Sequence, residues 1–136
     1  MNHYRIFLSL ALWVTLLTST LPAQTSNQPN HVLDLDGRGI RSIERVGSSW
    51  LIVTGPTADR GRFALYRWSG RAGDAAALVT GVDLKNLRPE ALFALPGSGH
   101  VQLLSDDGGV NIAGVECKEL PAARQTFRSL TLTTGE

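Results

Sequence analysis

The chain predicts an all-β protein, and three observations carry that reading. Beyond residue 30, short apolar or β-rich runs are divided by Gly, Pro, Asp and Ser about every ten residues. Little of the apolar pattern has helical spacing. The same order of elements also occurs twice: Ile40 to Gly55 reads strand, Gly-containing turn, apolar strand and Gly stop, and Glu90 to Asp107 repeats it about fifty residues later with an acidic stop. Four-stranded propeller blades recur at about this length. The predicted architecture is therefore propeller-like, with about two four-stranded blades at residues 38–84 and 88–134.

Each element has its own local reason. Val32 to Leu35 reads as a first strand, ended by Asp36-Gly37. Ile40 to Val46 follows, then Gly47-Ser48-Ser49 as a turn, then Trp50 to Thr54. That last run is apolar on both faces, as in a strand at the middle of a packed sheet, and Gly55-Pro56 stops it. Phe63 to Trp68 alternates, with Phe63, Leu65 and Arg67 on one face and Ala64, Tyr66 and Trp68 on the other. Ala76 to Val82 is a fainter strand pattern. Glu90 to Leu95, a Pro96-Gly97-Ser98-Gly99 turn and Val101 to Ser105 come next. Ile112 to Leu120 reads either way, and Phe127 to Thr133 is the last strand. Leu84, Leu87, Ala91, Leu92 and Leu95 have helical spacing, but Pro89 inside that pattern removes a hydrogen bond and clashes with the preceding turn, so strand is favoured.

The N-terminus predicts export. Arg5 precedes an apolar run from Ile6 to Leu17, and Pro22-Ala23 breaks the helix at a small residue suited to signal peptidase. Residues 1–23 read as a signal peptide, with a signal-peptide helix ahead of the β domain. Residues 24–31 read as a disordered polar linker and 32–136 as the propeller-like domain. Gln24 to Asn30 is too polar for an uncleaved spanning helix, which needs about twenty apolar residues. The expected location is periplasmic or extracellular, with membrane contact only through the signal peptide during export.

Loss of Arg5 takes the 13 basic against 12 acidic residues of the whole chain to 12 against 12. Neutrality argues against a nucleic-acid partner, which calls for a basic excess. Cys117 is the single cysteine, so no internal disulfide staples the fold. It is either a buried small hydrophobe or an exposed thiol, and burial is the commoner fate.

An ordered set of short runs resembles one family. The runs are Arg38-Gly39-Ile40-Arg41, Trp50 to Pro56, Phe63 to Gly70, Pro89-Glu90-Ala91-Leu92, Ser105-Asp106-Asp107-Gly108, Cys117-Lys118 and Phe127-Arg128-Ser129. Together they resemble an uncharacterised bacterial domain-of-unknown-function family of exported, β-propeller-like proteins, from about Leu33 to Thr131. The resemblance implies a propeller-like fold and export, and no activity. Glu90 followed by Ser105-Asp106-Asp107 is also similar to phytase-like and esterase-like propellers, in which acidic residues near the channel hold calcium. A closed propeller needs at least four blades. The chain is thus expected to be a remnant, a truncated frame or a piece that completes itself by association.

The candidate sites follow from residue chemistry. Glu90, Asp106 and Asp107 offer hard oxygen ligands for calcium if adjacent strands bring them to one end. Asp106-Asp107-Gly108-Gly109 is equally a tight turn, with Asp accepting backbone hydrogen bonds. Arg38 and Arg41 are candidates to bind an anionic ligand, against the simpler use of a salt bridge to Asp36 or Glu44. Asp34 to Arg45 fails as a calcium loop because Arg38 and Arg45 stand at ligand positions. Gly37-x-Gly39 lacks the third glycine of a dinucleotide loop. His31 and His100 are too few for a three-histidine zinc site, and Gly97-Ser98-Gly99-His100 is a turn rather than a nucleophile elbow. Trp50, Tyr66 and Trp68 alternate as core residues do. The functional expectation is an exported module that binds a ligand or partner without catalysis. The alternative is a remnant of a calcium-dependent phosphoesterase-like propeller. Self-association through exposed edge strands is the expected assembly behaviour.

Overall fold

The computed structural model describes residues 31–58 and 60–134. The predicted signal peptide, its helix and residues 24–30 of the linker lie outside the described residues. Two antiparallel sheets face each other. Sheet 1 is a meander of β1 (Gly39–Val46), β2 (Ser49–Gly55), β3 (Ala64–Trp68) and the two-residue β4 (Ala77–Leu78). Sheet 2 contains β5 (Pro89–Leu95), β6 (His100–Ser105) and β9 (Ser129–Thr133) in that spatial order. Between β6 and β9 the chain makes a small hairpin, β7 (Asn111–Ile112) with β8 (Val115–Glu116), and two single-turn 3-10 helices. All-β is the class observed.

The internal repeat is visible in the pairing. In sheet 1 the register of β1 against β2 skips Arg41, and in sheet 2 that of β5 against β6 skips Glu90. Both strands therefore carry a bulge at their second or third residue, where an extra residue breaks the ladder and turns its side chain aside. The hairpin Val46↔Ser49 is closed by Gly47-Ser48, and its counterpart Leu95↔His100 by the longer Pro96 to Gly99. β1 and β5 lie side by side. Ser42 Oγ accepts from Leu92 N at 3.0 Å and Glu44 Oε1 from Ala94 N at 3.2 Å. Side chains of one sheet thus satisfy backbone donors on the edge of the other, which blunts that edge. The outer edge of β9 has no partner strand among the described residues.

One core fills the space between the sheets. Val46, Leu51, Val53 and Leu65 of sheet 1 meet Leu92, Val101 and Leu103 of sheet 2, with Leu84 of the connecting segment. Fully burying each such side chain contributes about 1.5–3 kcal/mol. The other face of sheet 1 carries Ile52, Tyr66 and Trp68, with Trp50 half-buried beside them. The alternation read in Phe63 to Trp68 is thus real, and the three aromatics are core residues. Cys117 is buried, its Sγ donating to Thr126 O at 3.2 Å.

Two strand expectations are corrected. Val32 to Leu35 is not a strand. Its Leu33 and Leu35 lie against the outer face of sheet 1, so their alternation serves face packing rather than edge pairing. Asp34 Oδ1 accepts from Asp36 N at 3.0 Å, and Asp36 and Gly37 take φ of 53° and 70°, which turns the chain out of extension. Sheet 2 of the second unit has three strands, not four, and Ile112 to Leu120 supplies none of them. Ala113 and Gly114, at φ 52° and 92°, fold that stretch back on itself, and Cys117–Glu119 is a 3-10 turn. The third strand of sheet 2 is β9.

Candidate functional site

β1 and β5 start, and β2 and β6 stop, at the same end of the two sheets. An open cleft of about 1150 Å³ lies there. Its wall combines Arg41 of β1, the segment Pro56 to Phe63 after β2, Val82 to Arg88 before β5, Gly109-Val110 and Arg128. Each contributor is held for a local reason. Gly55 ends β2 where a Cβ would stand 2.7 Å from both Arg41 Nε and the Phe63 ring, so only a glycine leaves room for them. Lys85 N donates to Asp83 Oδ1 at 2.8 Å, and Asn86 takes φ 64°. This tight turn is anchored by buried Leu84 and leaves Lys85 exposed. Arg88 N donates to Ser105 Oγ at 2.9 Å, and Arg88 O accepts from Asp106 N at 2.8 Å. Its backbone is thereby tied to the end of β6, and its guanidinium lies against Gly109.

The cleft is basic. Arg41, Arg60, Arg62, Lys85, Arg88 and Arg128 line it, and Asp83 is the one acid of the described lining. Arg41 donates to Pro56 O at 2.6 Å and lies 3.7 Å from Glu90. Arg128 is paired with Asp107. For the other four cations, no carboxylate among the described residues is within 4.0 Å. An apolar floor of Phe63, Leu84, Leu87 and Val110 lies among them.

The three predicted calcium ligands have different partners. Among the described residues, no group of three His, Cys, Asp or Glu side chains is placed to share a metal ion. Glu90 pairs with Arg41. Asp106 is exposed, and its Oδ1 accepts from Gly108 N at 3.0 Å, a turn contact. Asp107 is buried, and both its oxygens are filled. Oδ1 takes Ser105 Oγ and Arg128 Nη2, each at 2.7 Å; Oδ2 takes Arg128 N at 2.7 Å and Arg128 Nε at 2.8 Å. The Arg128 guanidinium fork, ahead of the opposing effect of burial, holds the Asp107 carboxyl well below the usual carboxylate range. This knot closes the excursion between β6 and β9, and Ser105 N donates to Arg128 O at 2.9 Å beside it.

The family model described as "Protein of unknown function (DUF3616)" matches residues 14–102. The chain belongs to the DUF3616 family. No curated protein and no solved structure matches it. The family match takes in Arg41, Arg60, Arg62, Lys85 and Arg88 of the cleft and stops short of Arg128.

In this DUF3616 chain the two predicted anion ligands part company. Arg41 lines the cleft. Arg38 instead donates to Asp36 Oδ2 and to Tyr66 Oη, both at 3.0 Å, and to Leu35 O at 3.3 Å. Tyr66 Oη donates to the same Asp36 oxygen at 2.6 Å. The Tyr66 hydroxyl first, and Arg38 second, hold the Asp36 carboxyl below its ordinary range, while burial and the Asp36 bond push the phenol up. Arg38 thus pins the N-terminal segment over sheet 1. Arg60, Arg62, Lys85, Arg88 and Arg128 are the cleft residues that sequence reasoning missed. The available signals were Arg60-Gly61-Arg62 and Lys85 to Arg88, each directly before a strand start, since residues at strand ends and in the loops beyond them are the ones a sheet scaffold holds out for binding.

Proposed function

We propose that this chain is an exported, propeller-like module that binds a ligand in the cleft and performs no chemistry on it. The observation that carries the reading is the cleft itself. It sits where the two sheets begin, is held by hydrogen-bonded turns, and is large enough to admit a small molecule. Its described lining contains no Ser, Thr, Cys, His, Tyr or Glu. Within that described lining Lys85 and Asp83 are the side chains with nucleophile or base chemistry, and Asp83 is taken up by its own turn. The propeller-like part is supported by the meander of sheet 1, by the same hairpin and bulge recurring in sheet 2, and by the first strands of both sheets lying side by side.

The test is a small-molecule screen by protein NMR against the protein and a plugged variant, Gly109→Trp. Gly109 has no positive φ, and a Cβ there would meet only the Arg88 guanidinium, at 3.5 Å, so a side chain can branch from it into the cleft. Ligands should bind the native protein and be lost from the plugged one at unchanged melting temperature. Turnover of any such ligand would sink the binding-only reading. Export is tested separately. Intact-mass measurement of protein recovered outside the cytoplasm should find an N-terminus at Gln24, and a chain still beginning at Met1 would overturn it.

A further inference from the structure

The cleft's charge goes further than the reading above, on which this inference rests. We infer that the ligand is a small organic anion carrying two or more phosphate or carboxylate groups. Arg60 and Arg62 come from the β2–β3 loop, and Lys85 and Arg88 from the turn before β5. The two segments approach one cavity from separate parts of the chain. Like charges gathered around one cleft repel each other, and an occupant that brings negative charge relieves that repulsion. A single carboxylate engages one guanidinium fork and leaves the remaining cations without a paired carboxylate among the described residues. Two or more anionic groups on one body engage both segments together. Guanidinium also selects for this chemistry, because its planar donors match the paired oxygens of carboxylate and phosphate.

The volume agrees. About 1150 Å³ exceeds what a monoanion such as acetate or inorganic phosphate fills, and it lies a little above the ordinary range of about 300–1,000 Å³ for ligand pockets. Phe63, Leu84, Leu87 and Val110 of the lining would suit an apolar body joining the charged groups. Replacing the side chains of Arg62 and Arg88 leaves their structural contacts in place, because those run through backbone atoms. Arg62 O accepts from Arg38 Nε, and Arg88 N and O bond to Ser105 and Asp106.

Titration calorimetry with the whole protein decides the matter, using inorganic tripolyphosphate and citrate as separate probes for the two anion chemistries. At least one should bind with one-to-one stoichiometry, and binding should weaken as salt rises. The double variant Arg62→Gln/Arg88→Gln should lose about tenfold or more in affinity. Arg62→Lys/Arg88→Lys, which keeps charge but removes the forks, should fall between the two. Arg71→Gln/Arg124→Gln, which removes two exposed cations away from the cleft, should stay within about twofold. An equal loss in that control pair, or no heat with either anion, overturns the inference. If uncharged ligands still bind and Gly109→Trp blocks them, the anion inference fails and the binding module stands. If no ligand of any charge binds, both fail.

Discussion

Replacing Leu103 by Ala is expected to lower the free energy of unfolding by about 3 kcal/mol. Leu103 lies at the centre of β6, 1 % exposed, with Leu92 on one neighbouring strand and Leu130 on the other. It belongs to the cluster that joins sheet 2 to Val46, Leu51, Val53 and Leu65 of sheet 1. Truncation removes the transfer free energy of three carbons and leaves a cavity whose walls are strands from two sheets. Hydrogen-bonded ladders hold those walls apart, so they collapse little into the void. In a domain of this size the melting temperature should fall on the order of 15 °C. The adjacent Leu104 points to the opposite face and is half-buried, so Leu104→Ala should cost under about 1.5 kcal/mol. Denaturant unfolding of both variants checks the pair. Equal and small losses would mean that the two sheets do not share one core.

The second large effect is expected at Asp107. Its carboxylate is 5 % exposed and accepts four hydrogen bonds, three of them from Arg128. Asp107→Ala strands the Ser105 hydroxyl and the Arg128 backbone N–H and unpins the chain where it re-enters sheet 2. The expected cost is about 2–3 kcal/mol, under the range for a fully buried pair because Arg128 keeps about half its side chain in water and is not left as a buried charge. Asp106→Ala removes one exposed turn contact and should cost about 0.5 kcal/mol. The Asp107 clamp also responds to acid. The Asp107 carboxyl titrates below its value in the unfolded chain, so the unfolded chain takes up the proton first as pH falls. Its contribution is therefore fully present above the ordinary carboxylate range near about pH 4 and is lost progressively below it. The stability gap between the native protein and Asp107→Asn should narrow from pH 7 toward pH 3. A gap that stays constant over that interval would show that the clamp does not act through the ionised carboxylate.

Local chemistry made most of the strands legible. Trp50 to Thr54, Phe63 to Trp68 and Val101 to Ser105 could be read because side-chain alternation and Gly or Pro stops are properties of neighbouring residues. Pro89 favoured strand over helix for β5 through its missing donor and its clash with the preceding turn. Val32 to Leu35 shows the boundary of that method. It was read as a strand from its apolar run, yet such a run says only that some side chains are buried, not whether the burial is against a face or along an edge. Ile112 to Leu120 shows the other boundary. Its β-rich composition served a local hairpin, and the partner of β6 came from Ser129–Thr133, beyond the whole excursion.

The all-β class, the turn positions and the repeated hairpin followed from residue order, because each depends on backbone and side-chain preferences acting over a few residues. Which aspartate of the Asp106-Asp107 pair is buried did not follow, and neither did the separation of Arg38 from Arg41. Nor did the gathering of Arg60, Arg62, Lys85 and Arg88 around one cleft. Those outcomes depend on which distant segments meet. In this chain they were decided by the packing of two sheets on one core, which brings the starts of β1 and β5 together and holds the charged loops at their ends around a common space.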